Sequence, residues 1–124
     1  MGNPVIHFEV TGKDGAKLAS FYSNLFGWQI DTNNPLSYGT IPREQNLGDD
    51  GVGIAGGVGT APGGGDGLVT FYVGVADVEG SLAKAESLGG RRLFGPAEVP
   101  GTPIVLGQFS DPEGHVIGLM QSPA

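Results

Sequence analysis

The chain has no cysteine, which excludes disulfide frameworks, thiolate zinc sites and cysteine nucleophiles. It is also short of positive charge. Six Lys and Arg stand against thirteen Asp and Glu, the net charge is -7, and no basic cluster exceeds the pair Arg91–Arg92. Such a field repels a nucleic-acid backbone and an anionic membrane, so neither is expected as a partner. No run of about 18 apolar residues occurs, and no charged leader followed by an apolar stretch, which predicts a cytoplasmic protein. Catalytic motifs are scarce as well. There is no GxSxG elbow, P-loop or dinucleotide fingerprint, and the glycines of 51–67 do not sit in a strand-to-helix turn.

What is abundant is glycine. With 24 glycines and 9 prolines, just over a quarter of the chain reaches the range in which composition suggests disorder. The 39% hydrophobic content and aromatics spread along the chain argue instead for a folded single domain rich in turns and strands. Pro4–Val10 reads as a strand, and Asp14 as the cap of a helix whose stripe is Ala16, Leu18, Ala19, Tyr22, Leu25 and Phe26, ended by Gly27. Trp28–Ile30 and Ser37–Ile41 read as short strands around a turn at Asp31–Pro35, and Val52–Ala55 as a fourth strand. Phe21, Phe26, Phe71 and Phe94 are expected in the core.

The second half repeats this order. Leu68–Val75 is a predicted strand, Asp77 caps a helix with Val78, Leu82, Ala85 and Leu88 on one stripe, and Gly89–Gly90 ends it. Three more strands follow at 91–94, 103–109 and 115–120, the last entered through the turn Asp111-Pro112-Glu113-Gly114. One constant offset superposes the halves: Asp14 falls on Asp77, His7 on Thr70, Gly51 on Gly114 and Ile54 on Ile117. The expected organisation is α+β, two βαβββ modules at 4–58 and 68–121 joined by a glycine-rich linker at 59–67. One helix covers only one face of each module's sheet, so pairing the modules would form a curved sheet around a cavity. The competing arrangement is two helices on one sheet with no pocket.

The His in the first strand, Phe21-Tyr22-x-x-Leu25-Phe26-Gly27-Trp28, Asp77-Val78-Glu79, Leu88-Gly89-Gly90 and Asp111-Pro112-Glu113-Gly114-His115-x-Ile117-x-Leu119 together resemble the vicinal oxygen chelate superfamily. That group contains glyoxalase I, extradiol dioxygenases, fosfomycin resistance enzymes and bleomycin resistance proteins. The resemblance extends from residue 4 to 121 and implies the glyoxalase/bleomycin resistance fold. In the family's enzymes a divalent metal lies between the modules and acts as a Lewis acid. The resemblance maps its four ligand positions to His7, Ala55, Thr70 and Gly118, of which three supply no normal metal ligand. A lone imidazole does not hold a catalytic zinc or iron ion, so no metal or other cofactor is expected. Glu9 shares the strand face of His7 and is a conceivable substitute ligand, but it lies about 7 Å further along the strand.

The candidate ligand-binding residues are His7, Glu9, Trp28, Tyr38, Thr70, Tyr72 and Met120. His7, the one candidate catalytic residue, is either a base or donor facing the cavity, or a remnant of the ancestral ligand held in the core. Trp28 is either an aromatic wall for a planar or cationic ligand, or core. Thr70 and Tyr72 offer hydroxyls or are ordinary strand formers. Tyr38 reaches the cavity on alternation, and Met120 gives it an adaptable apolar floor. The leading expectation is a homodimeric small-molecule-binding protein of bleomycin resistance type, its ligand an antibiotic-like compound that is cationic or hydrogen-bonding and aromatic. The rival is a glyoxalase-like lyase or isomerase, or an extradiol-type dioxygenase, with a rearranged metal site or His7 as a metal-independent base. A third reading is a regulatory module with a vestigial pocket.

Overall fold

A computed structural model of the chain describes residues 2–34 and 36–121. Pro35, in the expected turn at 31–35, lies outside the described residues. The chain forms two compact units: Ile6–Thr70, and the described residues of Met1–Val5 with Phe71–Ala124.

The first unit carries all but the first residue of strand β1 (Val5–Gly12), then helix α1 (Gly15–Phe26) and strands β2 (Gly39–Ile41) and β3 (Ala55–Thr60). The strand order is β2-β3-β1, with β3 parallel to β1 and antiparallel to β2. Helix α1 starts as the sequence predicts. Asp14 Oδ1 accepts the Lys17 N–H at 3.0 Å, and Gly27 takes the left-handed conformation (φ 77) that lets its N–H reach the Ser23 carbonyl.

Three expectations fail in this unit. Trp28–Ile30 is not a strand; among the described residues the pairing nearest to it is an isolated bridge from Asp31 to Thr40. Val52–Ile54 is not a strand either. The glycine-rich stretch read as linker supplies part of β3, which runs to Thr60 and pairs with β1 from His7↔Ala55 to Gly12↔Thr60. Backbone hydrogen bonding to β1 outweighs the conformational cost of glycine in a strand.

The second unit carries most of strand β4 (Val69–Gly74), then helix α2 (Val78–Ser87) and strands β5 (Arg91–Glu98), β6 (Val105–Ser110) and β7 (Val116–Gln121). Its order is β4-β7-β6-β5, with β4 parallel to β7 and the remaining pairs antiparallel. Val78 and Leu82 of α2 are fully buried against Leu119, with Val73, Val75, Val105 and Phe109 packed around them. Asp77 holds the N-cap position, but its side chain makes no capping bond. The Val78 N–H donates instead to Gln121 Oε1 at 2.8 Å, so the end of β7 supplies the cap.

The phenylalanine expectation is corrected by both units. Phe21, Phe26, Phe71 and Phe94 are all exposed. In α1 the helix has more large apolar side chains than the small first-unit sheet can cover, so Phe21, Leu25 and Phe26 stay at the surface. Among the described residues no helix is long and apolar enough to cross a membrane.

Candidate functional site

The first unit joins three of the predicted residues into one hydrogen-bonded chain. Tyr38 donates its hydroxyl proton to Glu9 Oε1 at 2.9 Å, and His7 Nε2 lies 3.3 Å from the same hydroxyl oxygen. A phenol has one proton. Since Glu9 takes it, His7 Nε2 carries a hydrogen and donates to the Tyr38 oxygen. All three residues are half-buried. Burial also pushes the His7 pKa down to about 4, because the surroundings disfavour its charged form. His7 is therefore a neutral imidazole at pH 7.

Glycines make the seat for this network. The Tyr38 ring lies over Gly57, where a Cβ would collide with the hydroxyl and ring, and a Cβ on Gly59 would come within 2.9 Å of ring carbon Cδ1. Gly57 pairs with Glu9 in the β1–β3 register, which puts the hydroxyl beside the carboxylate. At its other end Tyr38 is fixed by Asn34, whose Oδ1 accepts the Tyr38 N–H at 2.9 Å and whose Nδ2 donates to the Tyr38 carbonyl at 2.7 Å.

The second unit seats a tyrosine in a similar way. Tyr72, only 5% exposed, lays its ring over Gly118, its register partner. Gln108, the partner of Gly118 on the other side, reaches across it, Nε2 to the Tyr72 hydroxyl at 3.4 Å. The room that Gly118 leaves on its strand is thus taken by the Tyr72 ring. Met120 is half-buried two residues along the same strand face, and Thr70, in the first unit, is buried.

Trp28 does not join the His7 network. Its ring sits 5.3 Å from Phe8, 5.0 Å from Phe26 and 6.2 Å from Tyr22, and Phe8 is on the opposite strand face from His7 and Glu9. The indole N–H donates to Asn46 Oδ1 at 3.2 Å, and Asn46 in turn donates to the Ile54 carbonyl. Trp28 thus belongs to the aromatic layer under α1.

The metal that the resemblance implies finds no fitting donor set in these residues. Ala55 and Gly118 have no side-chain donor, and a tyrosine ring covers the second. His7 Nε2 and Glu9 Oε1 both face the Tyr38 hydroxyl. Among the described residues no three His, Asp or Glu side chains converge as a metal-holding group.

The glyoxalase-like domain family matches residues 7–120. The chain belongs to that family. A variant of the Streptomyces coelicolor methylmalonyl-CoA epimerase, in complex with 2-nitronate-propionyl-CoA, shares its fold, with 18% identity and a TM-score of 0.62 over 98% of this chain and 99% of that one. A glyoxalase/bleomycin resistance protein/dioxygenase superfamily member from Vibrio splendidus 12B01 is 17% identical, with a TM-score of 0.55 over 98% and 100%. A Legionella pneumophila structure described as NAD-dependent benzaldehyde dehydrogenase is 14% identical, with a TM-score of 0.62 over 94% and 98%. No curated protein matches the chain significantly in sequence. The fold is α+β, that of the vicinal oxygen chelate superfamily, as the sequence motifs imply.

The sequence reading found His7, Glu9 and Tyr38 separately and missed their connection. The signal that could have found it is the pair of glycines flanking Val58, which clear one face of β3 for a ring. Asn34, Asn46 and Gln108, which position Tyr38, Trp28 and Tyr72, do not stand out in the sequence. Short polar side chains in loops and on strands carry no distinctive spacing.

Proposed function

We propose that the protein binds a small neutral or cationic molecule at the face carrying His7, Glu9 and Tyr38, without a metal, in the manner of bleomycin resistance proteins. The observation that carries this reading is the Tyr38 hydroxyl bridging a neutral imidazole and a carboxylate. The bridge offers a ligand a fixed pattern of polar groups and a negative charge, which suits a hydrogen-bonding or cationic aromatic compound. The net charge of -7 favours the same class. Base catalysis by His7 is less well supported. A base whose conjugate acid has a pKa of about 4 is poorly matched to proton abstraction near pH 7.

The proposed assembly is a homodimer. The test is a thermal-shift panel of planar and cationic antibiotics and quinones, with light scattering for the oligomer. At least one compound should raise the melting temperature, since a ligand that binds only the native state stabilises it. Tyr38→Phe keeps the ring on Gly57 and removes the bridge. It should weaken binding by roughly ten-fold, the cost of one buried hydrogen bond left unmade. Indifference across the panel would overturn the binding reading, and turnover of a glutathione hemithioacetal or a catechol that is lost in His7→Ala would replace it with the enzymatic one.

A further inference from the structure

The second unit holds a cavity that the His7 network does not touch. It is a groove open to solvent, with a volume of about 370 Å³. It lies on the α2 side of the sheet: Val73 and Leu119 line it, and these alternate with Tyr72, Gly118 and Met120, which face the other way. Val75 and Phe109 complete an apolar floor. Leu88 stands at the wall and is 70% exposed, so apolar surface there remains in contact with water.

Two charged side chains line this cavity, Lys84 and Asp111. The Asp111 carboxylate is engaged within its own turn. Its Oδ1 accepts the N–H groups of Glu113 and His115, and its Oδ2 faces His115 Nδ1 at 3.0 Å. Lys84 differs. Arg92 pairs with Glu79 and Glu86, and Lys13 pairs with Asp66, but Lys84 makes no ion pair among the described residues. An apolar floor with a lysine free of ion pairs in its lining is complementary to an amphiphile with an apolar body and a single negative head.

We infer that this cavity is a second binding site, and that it takes a small apolar carboxylic acid, with its chain on Val73, Val75, Phe109 and Leu119 and its carboxylate on Lys84. The site is independent of the His7 face and carries the opposite ligand preference. A ligand of this class covers Leu88 and removes apolar surface from water without burying an unpaired charge.

The probe is decanoate, titrated into the full chain alongside decanol and decyltrimethylammonium, with binding followed by amide shifts in NMR spectra. Decanoate should bind most tightly and the cationic analogue least, with the largest shifts at Val73, Val75, Phe109 and Leu119. Lys84→Met should lower decanoate affinity by roughly five-fold, as expected for one partly exposed ion pair, and leave decanol unchanged. Ala85→Trp, which fills the cavity from the helix, should abolish binding of both. Tyr38→Phe should change neither, which separates failure here from failure of the proposed function. Absence of decanoate binding, equal affinity for all three probes, or shifts centred on His7 and Tyr38 would overturn the inference. The shift map and the charge ranking need no variant, so they decide the matter even if Ala85→Trp does not fold.

Discussion

The two units are built from similar elements and solve different problems with them. In the second, α2 drives Val78 and Leu82 into an apolar cluster with Leu119, backed by the strands β4, β7, β6 and β5. In the first, α1 covers a smaller sheet in which β2 has three residues and β3 is half glycine. The space is filled by rings instead: Phe8, Tyr22 and Trp28 on the α1 side, and Tyr38 over Gly57 on the other face. One unit is stabilised by aliphatic burial, while the other gives up part of that burial to hold a polar network.

The helices give the strongest test of that contrast. Leu82 is 0% exposed and Leu25 is 59% exposed. Leu82→Ala should cost about 3 kcal/mol through lost burial and a cavity, whereas Leu25→Ala should stay within about 0.5 kcal/mol. Denaturant melts of the two variants check this, and equal losses would erase the distinction between the helices.

The next effect belongs to the first unit alone. The folded-state pKa of His7, about 4, lies below the unfolded value of about 6.5. The unfolded chain therefore takes up the proton first. The His7 contribution is fully present above about pH 6.5 and is lost as pH falls toward 4, by up to about 3 kcal/mol. Stability curves of wild type and His7→Gln should diverge in that window and run parallel above it.

The glycine seats allow a closer comparison. A Cβ at Gly118 meets the ring of Tyr72, which is buried, while a Cβ at Gly57 meets that of Tyr38, which is only half-buried and able to yield. Gly118→Ala should therefore cost about 2 to 3 kcal/mol and Gly57→Ala about 1. Adding Tyr38→Ala to Gly57→Ala should recover part of the smaller loss in a double-mutant cycle. The helix caps give the smallest effects. Asp14→Ala and Gln121→Ala should each lose about 1 kcal/mol, and Asp77→Ala close to nothing, because only the first two accept a helix N–H.

Much of this organisation is legible in the chain. Both helices and β1, β4, β6 and β7 follow from apolar period, turn chemistry and β-branched runs, within a residue or two at most ends. Helix α1 shows its cap and stop directly in Asp14 and Gly27. What resists reading is whatever depends on a partner distant in sequence. The Gly56–Gly59 stretch is flexible by composition and becomes β3 only because β1 offers a ladder. Phe21 and Phe26 are apolar without being buried, since exposure depends on the size of the sheet beneath the helix. The site divides in the same way. The residue types were visible in His7, Glu9 and Tyr38, but the bridging proton depends on where Gly57 places a ring.

The cap on α2 has a consequence for the order in which the molecule assembles. Its acceptor, Gln121, lies 43 residues beyond Val78, at the end of the third strand after the helix. During synthesis the helix emerges long before the side chain that closes its first turn, whereas α1 brings its own acceptor only three residues away. The early helix is thus self-sufficient at its start, and the late one stays frayed there until the final strand docks, which makes completion of β7 the event that locks the second unit.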